Sequence, residues 1–142
     1  MKTTPIILKI VVWHFEFEKV GPLDKDIFTY EDQSIEYLTA HFEDCICLCP
    51  RVNNRDSVVA FCKYAYDKNK EADISEYYIY QHSDYSEFSQ FGATVIEHSV
   101  KDYLPVDLRS RCFVVLFGKS DNDNSTIYSD LINPIRQAFD II

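Results

Sequence analysis

The chain has 142 residues, is 46% hydrophobic and 15% aromatic, and carries a formal net charge of −9. That length suits one hydrophobic core and is short for two, so a single globular domain over 1–142 is expected. Such an acidic balance disfavours nucleic acid and anionic membrane as direct ligands, since both recruit Lys and Arg, and leaves basic proteins or cations.

Near the N-terminus, Lys2 precedes the apolar run Ile6 to Val12, which superficially resembles a short signal peptide. The run continues as Trp13-His14-Phe15-Glu16-Phe17-Glu18 with no small-residue cleavage site behind it, and therefore reads as a strand over 6–18. Gly21-Pro22 ends it. A helix is expected at about 30–43, where Thr29 and Asp32 give a weak cap and Ile35, Leu38 and Phe42 face inward.

Segments 44–52 and 57–66 read as a hairpin around Asn53-Asn54-Arg55-Asp56, with a helix over 57–67 as the alternative. Residues 74–82, rich in Tyr and Ile, form a strand. Ser83 to Phe91 is a short helix or a loop ending at Gly92, and Thr94 to Val100 is a further strand. After a connection containing Pro105, the apolar run Cys112 to Phe117 belongs at the centre of a sheet. Ile127, Leu131, Ile135 and Ala138 lie on one helical stripe that Pro134 interrupts. The expected fold is α+β, with a mostly antiparallel sheet of about five to six strands, an N-proximal helix and a C-terminal helix. No stretch is long enough to span a membrane.

Five cysteines are an odd number, and Cys45, Cys47 and Cys49 crowd into five residues, which suits a reducing, cytoplasmic setting better than a disulfide framework. Alternate positions on a straight strand lie about 6.5–7 Å apart. Tetrahedral zinc needs sulfurs at about 2.3 Å from one centre, so the trio reads as small apolar filler and no metal is expected. Nothing local marks a reactive thiol, and His14, His41, His82 and His98 stand without a nucleophile elbow. Three scattered glycines, Gly21, Gly92 and Gly118, exclude a P-loop or Rossmann turn. Asp121-Asn122-Asp123-Asn124-Ser125 starts like a calcium loop but lacks the central Gly and the bidentate Glu, and reads as a polar turn. No cofactor is expected.

Charge is distributed unevenly. Windows 26–50 and 71–100 hold carboxylates and no Lys or Arg, whereas 51–70 carries Arg51, Arg55, Lys63, Lys68 and Lys70. In the second window Tyr77, Tyr78, Tyr80, Tyr85, Phe88 and Phe91 interleave with Asp73, Glu76, Asp84 and Glu87. Tyrosine offers large contact area at little rotamer cost, and neighbouring carboxylates pair with Lys and Arg of a partner. The expected contact surface is Asp73, Glu76, Tyr78, Tyr80, Asp84, Tyr85 and Glu87, with Glu76, Tyr78, Tyr80 and His82 on one strand face.

This composition points to a small, non-enzymatic inhibitor of a basic protein, most naturally an immunity protein or antitoxin against a nuclease toxin, or a phage-encoded inhibitor. A second reading is an enzyme or ligand-binding domain in which His14, Glu16 and His82 converge in a cleft. A third is a subunit that self-associates by edge-to-edge pairing of strand 74–82. The sequence does not set the oligomeric state.

Overall fold

A computed structural model describes residues 5–12, 25–30, 33–42, 44–52, 54–82 and 90–117. The strands are β1 (Ile6–Val12), β2 (Lys25–Tyr30), β3 (Gln33–Phe42), β4 (Cys45–Pro50), β5 (Ile74–His82) and β6 (Cys112–Phe117). Three helices accompany them: α1 (Arg55–Asn69), α2 (Gln90–Tyr103) and the single turn α3 (Val106–Arg109).

The six strands form one sheet in the order β2-β3-β4-β1-β5-β6. β1 runs parallel to both β4 and β5, β5 runs parallel to β6, and only the β2-β3-β4 meander is antiparallel. The class is α+β as expected, but the sheet is mixed rather than mostly antiparallel. Parallel neighbours need a crossover: between β1 and β4 the chain passes through β2 and β3, α1 then carries it from β4 past β1 to β5, and α2 with α3 carries it from β5 to β6.

Each helix forms for a local reason. Asn54, expected in a hairpin turn, instead caps α1, its Oδ1 accepting from the Ser57 amide at 2.8 Å. Val58, Phe61, Cys62 and Ala65 then fall on one buried stripe. The helical alternative for 57–67 is therefore the correct one. In α2, Ala93, Ile96 and Val100 repeat at helical spacing and are buried, as is Leu104 just past its end. This corrects the strand expected at 94–100, a reading drawn by the β-branched run Thr94-Val95-Ile96.

The expected helix at 30–43 is likewise a strand, β3. Ile35 and Tyr37 alternate with Leu38 and Ala40, yet all four are buried. A strand covered on both faces shows a near-continuous apolar run rather than strict alternation, and the spacing of Ile35, Leu38 and Phe42 imitated a helix by coincidence. β6 is a strand as expected, but it ends the sheet order instead of occupying the centre. The expected strand extension over 13–18 and the C-terminal helix at 126–140 lie outside the described residues.

One face of the sheet packs on α1 and α2. Leu8, Ile10, Val12, Phe28, Tyr37, Leu48, Tyr77 and Ile79 meet Val58, Phe61, Ala65, Ile96 and Val100 there. The buried Tyr77 hydroxyl donates to the Cys62 carbonyl at 2.7 Å. The helices are joined to each other by the Tyr103 hydroxyl donating to Asp67 Oδ2 at 2.7 Å, with the Tyr66 and Tyr103 rings edge to face. The opposite face, called the second face below, is buried at its centre around Val11, Leu38, Cys47 and Cys49. Toward its margins it opens, with Ile27 65% and Phe113 41% exposed. Among the described residues no helix is long and apolar enough to cross a membrane.

Candidate functional site: an aromatic and acidic row on the second sheet face

β5 begins with a register shift against β1: Ile6 pairs with Ile74, but Ile7 pairs with Glu76. The extra residue, Ser75, donates its hydroxyl to the Ile6 carbonyl at 3.0 Å. A bulge of this kind re-aims everything beyond it. Ile74 and Tyr77 both reach the helix face, which leaves Glu76, Tyr78 and Tyr80 on the second face at alternate positions, as a strand of this sequence requires.

There the side chains form a continuous row. The Tyr78 and Tyr80 rings stack at 5.7 Å between centroids and 19° between planes. On its other side Tyr78 stacks on Phe113 of β6, its register partner, at 5.3 Å and 28°. The Tyr78 hydroxyl donates to the Glu76 carboxylate, and this bond holds the phenol above its ordinary pKa. Burial, aided by its neighbours, pushes the Tyr80 phenol up to about 12. Both rings therefore present neutral hydroxyls at physiological pH. Across β1, Lys9 sits in register between Tyr78 on one side and Cys47 on the other.

Of the seven expected contact residues, the structure brings together three: Glu76, Tyr78 and Tyr80. Asp73 stands apart. It precedes β5, its carbonyl accepts from the Ile6 amide at 2.8 Å, and its exposed side chain lines a cleft of about 160 Å³ with Lys70, Asp107 and Arg111. Asp84, Tyr85 and Glu87 lie outside the described residues. So do His14 and Glu16, while His82 is described only by its backbone, which closes β5 opposite Phe117.

Sequence reasoning missed Phe113 and Lys9. Phe113 was hidden inside an apolar run assigned to the centre of a sheet, whereas β6 comes last in the order of the described strands and Phe113 is 41% exposed. Lys9 broke the apolar pattern of β1 and was the available signal. Another cleft, of about 270 Å³, is lined by Tyr30, Arg55, Lys63 and Ser99 near the α1–α2 junction. Glu76, Tyr78 and Tyr80 line neither of these two clefts; all three are partly buried, and Phe113 beside them is 41% exposed.

No known protein family matches the chain, and no curated protein sequence matches it.

Proposed function

We propose that the chain is a small acidic binding protein that neutralises a basic protein partner, acting as an immunity protein or antitoxin against a nuclease-type toxin, or as a phage-type inhibitor of similar physics. The observation that supports this is the cluster in which Tyr78 stacks between Tyr80 and Phe113 and donates to the Glu76 carboxylate, on a sheet face where these side chains are partly exposed. Large flat rings held in place by stacking lose little entropy on binding, and aromatic anchors of this kind dominate interface energetics. A nuclease site lined by Lys and Arg accepts phosphates and bases; carboxylates and phenol rings mimic both. With a net charge of −9 the long-range field attracts such a partner.

The self-association reading loses its strand. β5 has β1 on one side and β6 on the other, so both of its edges are already paired and edge-to-edge joining through 74–82 is closed to it.

The test uses the basic protein that co-purifies with the chain from its host. Tyr78→Ala and Glu76→Lys should each weaken its binding by about tenfold or more, in the range of interface anchors, with circular dichroism unchanged. Stoichiometric wild-type chain should abolish the partner's nuclease activity, and both variants should restore it. Undiminished inhibition by both variants would remove the row from the interface.

A further inference from the structure

On the same sheet face, two strands from Tyr78, the first two cysteines of β4 converge. Cys45 Sγ and Cys47 Sγ are 3.6 Å apart, far closer than the about 6.5–7 Å that separates alternate residues along a strand. The side chains have turned toward each other. Lys9 of β1 is the register partner of Cys47 on this face, and no described cysteine is in a disulfide.

The remaining cysteines are held differently. Cys49 Sγ donates to the Val11 carbonyl at 3.3 Å, and burial pushes its thiol up. Cys62 is raised by burial in the α1 core, and Cys112 is raised, again by burial, to about 11. Cys45 also retains the most access, 8% exposed against 2% for Cys47, 1% for Cys49 and 0% for Cys62 and Cys112.

We propose that Cys45 and Cys47, with Lys9 beside them, form a peroxide-reactive dithiol in which Cys45 attacks and Cys47 resolves. The charge environment supports these roles. The hydrogen bond from Cys47, aided by the Lys9 ammonium, lowers the Cys45 thiol to about 7 against the opposing effects of burial and Asp44. The same pairing raises Cys47, so one thiolate is shared and it resides on the more accessible sulfur. From β5, across β1, Glu76 is in line with Cys45 and Tyr78 with Cys47; from β3, the register partners of Cys45 and Cys47 are the uncharged Phe42 and Ala40.

The Cys45 thiolate attacks one peroxide oxygen, the O–O bond breaks, and the departing oxygen takes a proton and leaves as water. Cys45 is then a sulfenic acid. The Cys47 sulfur attacks the Cys45 sulfur, the S–O bond breaks, and the hydroxyl leaves with the Cys47 proton as a second water. Two thiols lose two electrons to one hydroperoxide. Limited access at Cys45 favours an oxidant as small as hydrogen peroxide over a bulky disulfide. This proposal is independent of the partner-binding reading.

The experiment is mass mapping of the reduced full chain after substoichiometric hydrogen peroxide. Trypsin should release residues 26–51 as one peptide, because no Lys or Arg lies between Lys25 and Arg51, and it contains Cys45, Cys47 and Cys49. The expected product is that peptide lighter by two hydrogens, with Cys45 linked to Cys47 and Cys49 still alkylatable, reversed by dithiothreitol. At neutral pH Cys45 should react at least about fivefold faster than the other four thiols, the gain in thiolate fraction outweighing lower intrinsic nucleophilicity. Cys45→Ser should abolish the fast phase, and Cys47→Ser should leave a sulfenic acid trappable by dimedone. Oxidation of any other cysteine first, a Cys45–Cys45 link between chains, or a fast phase surviving in Cys45→Ser would overturn the assignment. The mapping on wild-type protein decides the matter even where a variant fails to fold.

Discussion

Gln81 sits on β5 opposite Val12 and Leu116, fully buried, and neither its amide nitrogen nor its amide oxygen meets a partner among the described residues. An unpaired buried amide costs about 1–3 kcal/mol, whereas an apolar side chain of similar shape avoids that cost. Gln81→Met is therefore expected to raise unfolding stability by about 1 kcal/mol, read as a higher urea midpoint at unchanged slope. A lower midpoint would show that the amide is paired after all. The residue scale is also where the sequence was least informative. Cys45, Cys47 and Cys49 were placed correctly on one strand face, and backbone spacing alone then argued that their sulfurs stay apart. Side-chain rotation closes Cys45 and Cys47 to 3.6 Å, and rotamers are not legible in a spacing rule. The strand-face assignment of Glu76, Tyr78 and Tyr80 needed only period-two alternation, and it holds because the bulge lies before them.

At the scale of elements, β1, β5 and β6 were readable because β-branched and aromatic side chains run through them without helical spacing, and β4 because it is a short, uninterrupted run of cysteine and aliphatic residues. β3 and α2 exchanged identities, each for a physical reason. Burial on both faces erased the alternation of β3, and β-branched residues masked the helical period of α2. What joins these layers is a polar tie as well as an apolar core. Phe28 of β2, Tyr37 of β3, and Phe61 and Tyr64 of α1 form one ring cluster, with Phe28 and Tyr64 4.3 Å apart and Tyr37 and Phe61 5.0 Å apart. Lys68, in the last turn of α1, donates to the Tyr37 hydroxyl at 2.6 Å and to Asp26 Oδ2 of β2 at 3.2 Å. Hydrogen bonds from Tyr37 and Lys68 hold the Asp26 carboxyl below its ordinary value. A lowered folded-state pKa contributes stability above the unfolded pKa, near pH 4, and loses it as pH falls through the folded value. The wild type should thus exceed Asp26→Asn at pH 6 by at most about 1 kcal/mol, since the pair is largely exposed. That margin should shrink steadily below pH 4 in urea titrations; a margin constant from pH 6 to 2 would contradict the tie.

At the scale of the whole molecule, the two windows without Lys or Arg have a structural meaning. The first spans β2 to β4 and the second spans β5 and most of α2, so they fold to opposite sides of β1 in one sheet. Among the described strand residues only Lys9 and Lys25 are basic, whereas Arg55, Lys63, Lys68, Lys101 and Arg109 lie on helices. Glu36 and Glu76 both occupy second-face positions, one from each window. The helices carry as many carboxylates as cations, Asp56, Asp67, Glu97, Asp102 and Asp107, so the attraction of the proposed basic partner rests on the net charge of −9, to which Glu36 and Glu76 contribute on one sheet face, and would act through the association rate. The most direct measurement is the association rate constant of the purified chain with the basic protein that co-purifies with it, followed against salt for wild type and for Glu36→Lys/Glu76→Lys. The expected result is a wild-type rate that falls steeply as salt rises and a charge-reversed variant that is slow at every salt concentration. Association rates that are insensitive to both salt and charge reversal would contradict the account.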